Sequence, residues 1–312
     1  MSMRVPNLMN NTQSLLDLQR IKQQLAQLTM QVSSGQRIIN LGDDPAGTAQ
    51  IMGYQASISL NAQYVAQGDQ ANAQLQAASS ALDTMGSTIT RLLVLAQEGM
   101  AANTTTGSQA AIAAEVDGLR TDLISLGNTQ VNGRYIFAGT NTLTQPFQDN
   151  VPATATSPQS VTYNGNNSII NLTIGTSVNM AVNIPGDTLF FGGPQASAQG
   201  SATDLLAQVT ALRDALQAND PAAIQTAYSN LRAINDRLNV SVADLGARAN
   251  GVSSLQSGLT SFNNTLTTLQ SSVASVDYPT AITQLNQAYV AQDATLSVMS
   301  KSNAKNLFDY LG

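Results

Sequence analysis

Apolar residues in the last fifth of the chain recur at alternating intervals of three and four. The rhythm runs from Leu259 to Val276, and it resumes after Pro279 and continues to Met299. This heptad spacing predicts long helices with an apolar stripe, and the proline predicts a break near Tyr278. We call this stripe the carboxy-terminal seam, and it comprises Leu259, Phe262, Leu266, Leu269, Val273, Val276, Ile282, Leu285, Tyr289, Leu296 and Met299.

The amino-terminal region has the same pattern. Gly35 supplies a helix stop after it. Two heptad helices at opposite ends of a chain are most simply satisfied by packing against each other, so we predict that the first and last helices pair. The amino-terminal seam comprises Leu18, Ile21, Leu25, Leu28 and Val32.

A second helix is predicted from Pro45 to Ala101. Asp44 can cap it, and Pro45 suits the first helical position. If unbroken, it would span about 85 Å at ~1.5 Å per residue, which is typical of a rod. Its own seam comprises Leu75, Ala78, Leu82, Met85, Ile89, Leu92 and Ala96, and a third helix carries Ile112, Val116, Leu119, Leu123 and Leu126.

The pattern changes at Val131. Tyr135 to Phe137 suggests a short strand, and alternation between Val161 and Ile184 predicts β-structure. Asn164-Gly165 is a hairpin-turn signal. Helical spacing returns at Thr203, and a further helix is predicted to start near Asp220-Pro221.

These elements predict a mainly α fold, an elongated rod of long antiparallel heptad helices with a small β-rich insert. We predict three parts: a terminal coiled-coil assembly domain from residues 1–40 and 275–312, a helical rod domain from 41–134 and 200–274, and a β-rich outer domain from 135–199.

Composition favours packing against neighbours. Charged residues make up 10% of the chain, against about 25% in an ordinary soluble domain. A polar but nearly uncharged surface can be buried without desolvating many ions. Four of the basic residues lie between Met1 and Arg37, whereas the region from Gly42 to Gly200 is acidic. No basic patch carries interleaved aromatics, so we expect no nucleic-acid partner.

The sequence contains none of the common catalytic motifs. It contains no His and no Cys, which removes the usual zinc sites and nucleophile–histidine pairs. It has no Walker loop and no GxGxxG motif. Asp43-Asp44 is the one adjacent acid pair, and we interpret it as helix-start chemistry before Pro45. We therefore expect no enzyme, no metal and no cofactor.

No stretch approaches the ~20 apolar residues that a membrane helix needs, so we expect no membrane insertion. The first residues are polar and Gln-rich, and we expect any export to proceed without a cleaved Sec signal.

The seams allow two interpretations. For the central helices an apolar stripe is best explained as internal core. For the two ends we favour contacts with partners, because a lone helix pair buries little surface against its ordering entropy. We expect residues 1–40 and about 275–312 to be loose alone and ordered by neighbours.

Several motifs resemble the flagellin superfamily. The segment from Val32 to Gly47 resembles its amino-terminal signature, with Ser33, Ser34, Gly35, Arg37, Asp43, Asp44, Ala46 and Gly47 as the matching residues. Residues 89–97 and 244–250 resemble later blocks in the same order. Within the superfamily, residues 132–140, followed by Pro146-Phe147, and the carboxy-terminus are more similar to the junction proteins than to filament flagellin.

The resemblance implies a structural subunit at the junction between hook and filament of the bacterial flagellum. It implies a ring of identical subunits over the first hook–filament junction protein, with flagellin assembling on top. It also implies type III export, with a flagellar export chaperone bound to the carboxy-terminal helix, and an extracellular location.

Two alternatives remain open. The chain could be a short flagellin that forms the filament itself. It could also be a secreted adhesin or immune ligand, because Arg91 and its helix resemble the flagellin region seen by a host receptor; for Arg91 we favour packing in the rod core.

Overall fold

A computed structural model describes residues 4–101, 105–150, 160–194 and 199–311, and side chains only between residues 12 and 301 of those ranges. The helices in them are α1 (Arg4–Ser34), α2 (Pro45–Gly99), α3 (Thr106–Gly127), α4 (Gly186–Phe190), α5 (Leu205–Ala218), α6 (Pro221–Ala274) and α7 (Tyr278–Leu311). The strands are β1 (Gln130–Val131), β2 (Arg134–Tyr135), β3 (Phe147–Asn150), β4 (Ser160–Tyr163), β5 (Asn171–Gly175) and β6 (Val178–Ala181). The predicted mainly α class with a small β region is confirmed.

The helix starts follow from local capping chemistry. The Asp204 carboxylate accepts a hydrogen bond from the Ala207 amide and caps α5, and Thr105 caps α3 in the same way. The Asp220 carboxylate accepts from the amides of Ala222 and Ala223, so the predicted start at Asp220-Pro221 is confirmed. The predicted break before Pro279 is also confirmed, because α6 ends at Ala274 and α7 begins at Tyr278.

The described chain forms two compact units. The terminal unit contains Met1–Leu60 and Ser261–Gly312, and the central unit contains Asn61–Thr260. Within the terminal unit, α1 packs along α7, which confirms the predicted pairing of the first and last helices.

The central unit holds the main apolar core. Every residue of the predicted α2 seam is buried there, which confirms that this stripe is internal. Its partners come from α3, α5 and α6, where Val116, Leu123, Val209, Leu212, Leu216, Leu231, Ile234, Leu238, Leu245 and Val252 are buried. Each such large side chain stabilises the fold by roughly 1.5–3 kcal/mol through burial.

The β-region consists of three separate antiparallel ribbons, which pair β1 with β2, β3 with β4, and β5 with β6. A buried aromatic cluster of Phe147, Tyr163, Phe190 and Phe191 packs β3 and β4 against the end of α4, with the Phe147 and Phe190 rings 4.2 Å apart. Gly127 leaves room for these rings, because a Cβ there would come within 2.7 Å of Phe147.

The hairpin turn lies elsewhere than predicted. Asn132 and Gly133 have φ values of +51° and +73° and form the two-residue turn between β1 and β2, as this turn type requires. The prediction of a hairpin at Asn164-Gly165 is wrong. Strand β4 pairs antiparallel with β3, which precedes it in the chain, and the Asn164 amide donates to the carbonyl of Pro146.

The predicted strand from Tyr135 to Phe137 is only partly present. Strand β2 stops at Tyr135, and Phe137 is fully buried. The carbonyl of Phe137 accepts from the Tyr163 hydroxyl at 2.9 Å and from the Gly186 amide at 2.8 Å. Burial raises the pKa of Tyr163 above its ordinary value, which keeps this hydroxyl protonated as a donor.

Candidate assembly surface

The α1–α7 pair has a small buried seam of its own. Leu25 and Leu28 of α1 are buried against Ala288 of α7, and Ile21 and Leu285 pack beside them. Leu18 and Val32, the outer members of the amino-terminal seam, are half-buried. The structure therefore brings the amino-terminal seam onto α7.

The carboxy-terminal seam divides into an inner and an exposed set. Leu266 is buried, and Leu259, Val273, Val276, Leu285 and Met299 are half-buried. The remaining five, which we call the outer stripe, are exposed: Phe262, Leu269, Ile282, Tyr289 and Leu296. Phe262 and Leu269 are seven residues apart on α6, and the other three follow the same interval on α7, so each set lies along one helix face.

The inner face of α7 includes residues that sequence reasoning missed. Ala281 and Ala288 are buried, with Leu285 and Met299 half-buried between and after them. Their spacing of three or four was available in the sequence. Alanine is nonetheless a weak apolar signal, and the neighbouring Ile282 and Tyr289 carried the same rhythm more visibly.

The flagellin-like motif lies where two breaks between consecutive helices come into contact. Helix α1 ends at Ser34, and Gly35 follows with φ +72°, a conformation that favours glycine. Gln36 forms an antiparallel bridge with Ser275. The Val276 amide donates to the Gly35 carbonyl at 3.0 Å. The break between α1 and α2 is thus joined to the break between α6 and α7.

Arg37 ties these breaks together. Its backbone amide donates to the Ala274 carbonyl at 2.7 Å, and its guanidinium donates to the Val273 carbonyl at 3.1 Å. The same guanidinium contacts the Asp44 carboxylate at 2.9 Å. One side chain therefore links the end of α6 to the start of α2.

Asp44 caps α2, as the sequence predicts. Its carboxylate accepts from the Gly47 amide at 2.9 Å. This hydrogen bond, followed by that from Arg37, holds the pKa of Asp44 below its ordinary value. A Cβ at Gly47 would collide with Asp44 Oδ2 and Ile38 Cδ1, so the motif glycine permits the close approach.

The other motif residues shape the loop. The Asp43 carboxylate accepts from the amides of Ile39 and Asn40 at 3.1 and 2.9 Å, so it closes the turn before α2 as well as lying at the helix start. Ser33 donates to the Met30 carbonyl, and the Ser34 hydroxyl accepts from the Gln36 amide. Ala46 is exposed. These contacts support a structural role for the acid pair.

The Arg91 side chain does not lie in the rod core, where we expected it. Its side chain is 46% exposed and donates to Glu115 at 2.7 Å, with Glu98 at 3.9 Å. The expectation is wrong because a guanidinium remains hydrated unless it is fully paired, and here it forms a surface ion pair.

Among the residues that the structure describes, no helix is long and apolar enough to cross a membrane. No three His, Cys, Asp or Glu side chains are grouped there as metal ligands.

A family profile described as the bacterial flagellin N-terminal helical region matches residues 5–142. The match includes α1, the Arg37 motif, α2 and α3. The resemblance to the flagellin superfamily, first indicated by the motifs, is confirmed.

The chain also resembles flagellar hook-associated protein 3. It is 28% identical to the protein of that name from Escherichia coli over 298 residues, which cover 89% of this chain and 90% of the relative. It is 31% identical to the Salmonella typhimurium protein of the same name over 150 residues, 46% of each chain.

A solved structure shares the fold. The flagellar junction protein FlgL from Legionella pneumophila superposes with a TM-score of 0.58 at 15% identity, covering 74% of this chain and all of that one.

Proposed function

We propose that this chain is a structural subunit of the bacterial flagellum that forms the junction ring between hook and filament, on which flagellin assembles. The observation that carries the proposal is the similarity to flagellar hook-associated protein 3 along 89% of the chain. The role is structural and not enzymatic, and it needs no cofactor.

The outer stripe supplies the physical basis for assembly. The five side chains of the outer stripe are 42–52% exposed, so about half of the apolar surface of each remains for a neighbour to cover, and covering it would be favourable. Few charges surround them, since Asp277, Asp293 and Lys301 are the charged residues between Ser275 and Lys301. In our proposal the inner seam holds α1 to α7, and the outer stripe contacts other copies.

The partners follow from this role. Copies of the chain would form the ring, the first hook–filament junction protein would lie below it, and flagellin would lie above it. An export chaperone would bind the carboxy-terminal helix before type III export, and the protein would act outside the cell. The division into a terminal assembly domain, a helical rod domain and an outer β-rich domain belongs to the same proposal.

An assembly test separates this function from its alternative. Purified chain is incubated alone, with isolated hooks that carry the first junction protein, and then with added flagellin, and each mixture is viewed by electron microscopy. Caps on hooks that accept flagellin are the expected result. Long self-propagating filaments of the chain alone would instead make it a short flagellin, which the match to the flagellin amino-terminal region favours.

A deletion strain tests the same role in cells. Cells without the protein should make hooks but release flagellin unassembled. Ordinary filaments in the deletion strain would overturn the proposal.

A further inference from the structure

Gln256 of α6 reaches across to α2 in the central unit. Its side-chain amide donates to the Val65 carbonyl at 3.0 Å and to the Asp69 carboxylate at 2.8 Å. Its oxygen accepts from the Asn72 side-chain amide at 3.0 Å. Both ends of one carboxamide are thus hydrogen-bonded to groups of the facing helix.

A notch in α2 admits this side chain. Gly68 is buried, and a Cβ at that position would lie 2.8–2.9 Å from the Gln256 side chain. Glycine inside a helix costs about 1 kcal/mol relative to alanine, so close packing gives this glycine a structural reason. We call Gly68, Asp69, Asn72 and Gln256 the polar clamp.

The clamp interrupts an otherwise apolar seam. Gly68 lies seven residues before Leu75, so it occupies the same helix face as the buried α2 seam, while Val252 is buried one turn before Gln256. Beyond Leu75, leucine, alanine, methionine and isoleucine fill the seam. Apolar side chains at heptad spacing can pack in more than one register, whereas a polar residue with directional partners accepts one.

We propose that Gln256, seated in the Gly68 notch, is the positioning residue that fixes the register of α6 against α2. A slip by one heptad would carry its carboxamide away from the Val65 carbonyl and press it against a side chain instead of a glycine. The proposal rests on the clamp geometry and does not depend on the proposed function.

The absence of cysteine from the chain permits a clean distance measurement. Ser80 of α2 and Ser254 of α6 are exposed, and both are replaced by cysteine in the full chain for spin labelling. Double electron–electron resonance then measures the distance between the labels. The parent should give one narrow distance.

Two variants break the clamp by different routes. Q256L removes the amide while keeping similar volume, and G68A fills the notch. In each we expect a second population displaced along the helices by up to about 10 Å, seven residues at ~1.5 Å each. Helical content should persist in Q256L, because replacing a half-buried polar side chain by an apolar one of similar volume often leaves stability unchanged. It should persist in G68A because alanine is a better helix former than glycine.

The matched control is Q270L. The Gln270 amide donates to the Gln55 side chain at 3.3 Å in an exposed pair between the same two helices, and its loss should leave one narrow distance. A single unchanged distance in both Q256L and G68A overturns the proposal, as does equal broadening in Q270L. If Q256L does not fold, G68A decides alone.

Discussion

Arg120 donates from its two terminal nitrogens to the two carboxylate oxygens of Asp149, at 2.9 and 2.7 Å. Only 1% of the Arg120 side chain is exposed, and its Nε donates to Thr210. The pair therefore joins α3, β3 and α5 in the buried part of the central unit.

Replacing Asp149 by alanine should destabilise the protein by about 3–5 kcal/mol, because it leaves a buried guanidinium without its carboxylate. Denaturant unfolding monitored by circular dichroism measures the change. The control is Asp17→Ala, which breaks the exposed pair with Arg20 and should cost at most about 1 kcal/mol. Equal effects of the two substitutions would contradict the prediction.

Leu266→Asp should block assembly or export. Leu266 is 6% exposed in the terminal unit, and an aspartate there would place an unpaired charge among apolar groups. The measurement is the number and length of filaments on cells that carry the variant. Thr267→Asp, at the exposed neighbouring position, should assemble; normal filaments with Leu266→Asp would count against the seam.

Tyr289→Asp should spare the monomer and abolish assembly. Tyr289 is 48% exposed, so its change should shift the thermal midpoint of the monomer little, while a charge in the outer stripe would oppose contact with a neighbour. Gln287→Asp is the control, because at 3.6 residues per turn it lies on another face of α7. Assembly by the Tyr289 variant would show that the outer stripe does not face another copy.

Amide exchange should be faster in α1 and α7 than in the α2 and α6 segments of the central unit. Among the side chains that the structure describes, few large ones are buried in the terminal unit, whereas the central core is continuous. Local opening is easier where little apolar surface is covered. Hydrogen exchange of dilute monomer, read by mass spectrometry, tests this. Equally slow exchange throughout would contradict it, and slowing on assembly would support the role of neighbours.

Asp44 should make the motif region sensitive to acid. Its folded pKa is lowered from 3.8, first by the Gly47 amide and then by Arg37. Its contribution to stability is therefore fully present above the unfolded pKa and is lost as the pH falls through the lower folded value. The free energy of unfolding of wild type should exceed that of Asp44→Asn at pH 6, and the two should converge below pH 3.8. Parallel curves down to pH 2 would contradict this.

The helix cap at Asp44 and two Asn-Gly pairs show where local sequence is sufficient to predict structure and where it is not. Asp44 before Pro45 predicts a capped helix, and the structure has that cap, because the partners lie within three residues. Asn132-Gly133 and Asn164-Gly165 are both Asn-Gly pairs, the local signal for a two-residue hairpin turn, yet only the first forms such a turn. Strand pairing decides which pair forms a hairpin turn. Strand β4 ends just before Asn164 and pairs with β3, which precedes it in the chain, and not with a strand that follows.

The terminal seams show the same division. Heptad spacing predicts that Leu285 and Tyr289 belong to one helical stripe, but α1 covers Leu285 and leaves Tyr289 exposed. The small residue Ala288, one position before Tyr289, is the one buried against Leu25 and Leu28. Apolar spacing of three and four identifies one face of a helix. It does not show how wide that face is or which part of it a neighbouring helix covers.

The sequence by itself determined the helices, their caps, the breaks at Gly35 and before Pro279, and the resemblance carried by the Arg37 motif. These features depend on spacing and on contacts between residues close along the chain. Only the tertiary structure decided which apolar residues are inner or outer, that Arg120 meets Asp149, and that Gln256 lies over Gly68. Gly68 and Gln256, for example, are 188 positions apart in the chain, and such contacts depend on how side chains of different helices fill the same volume.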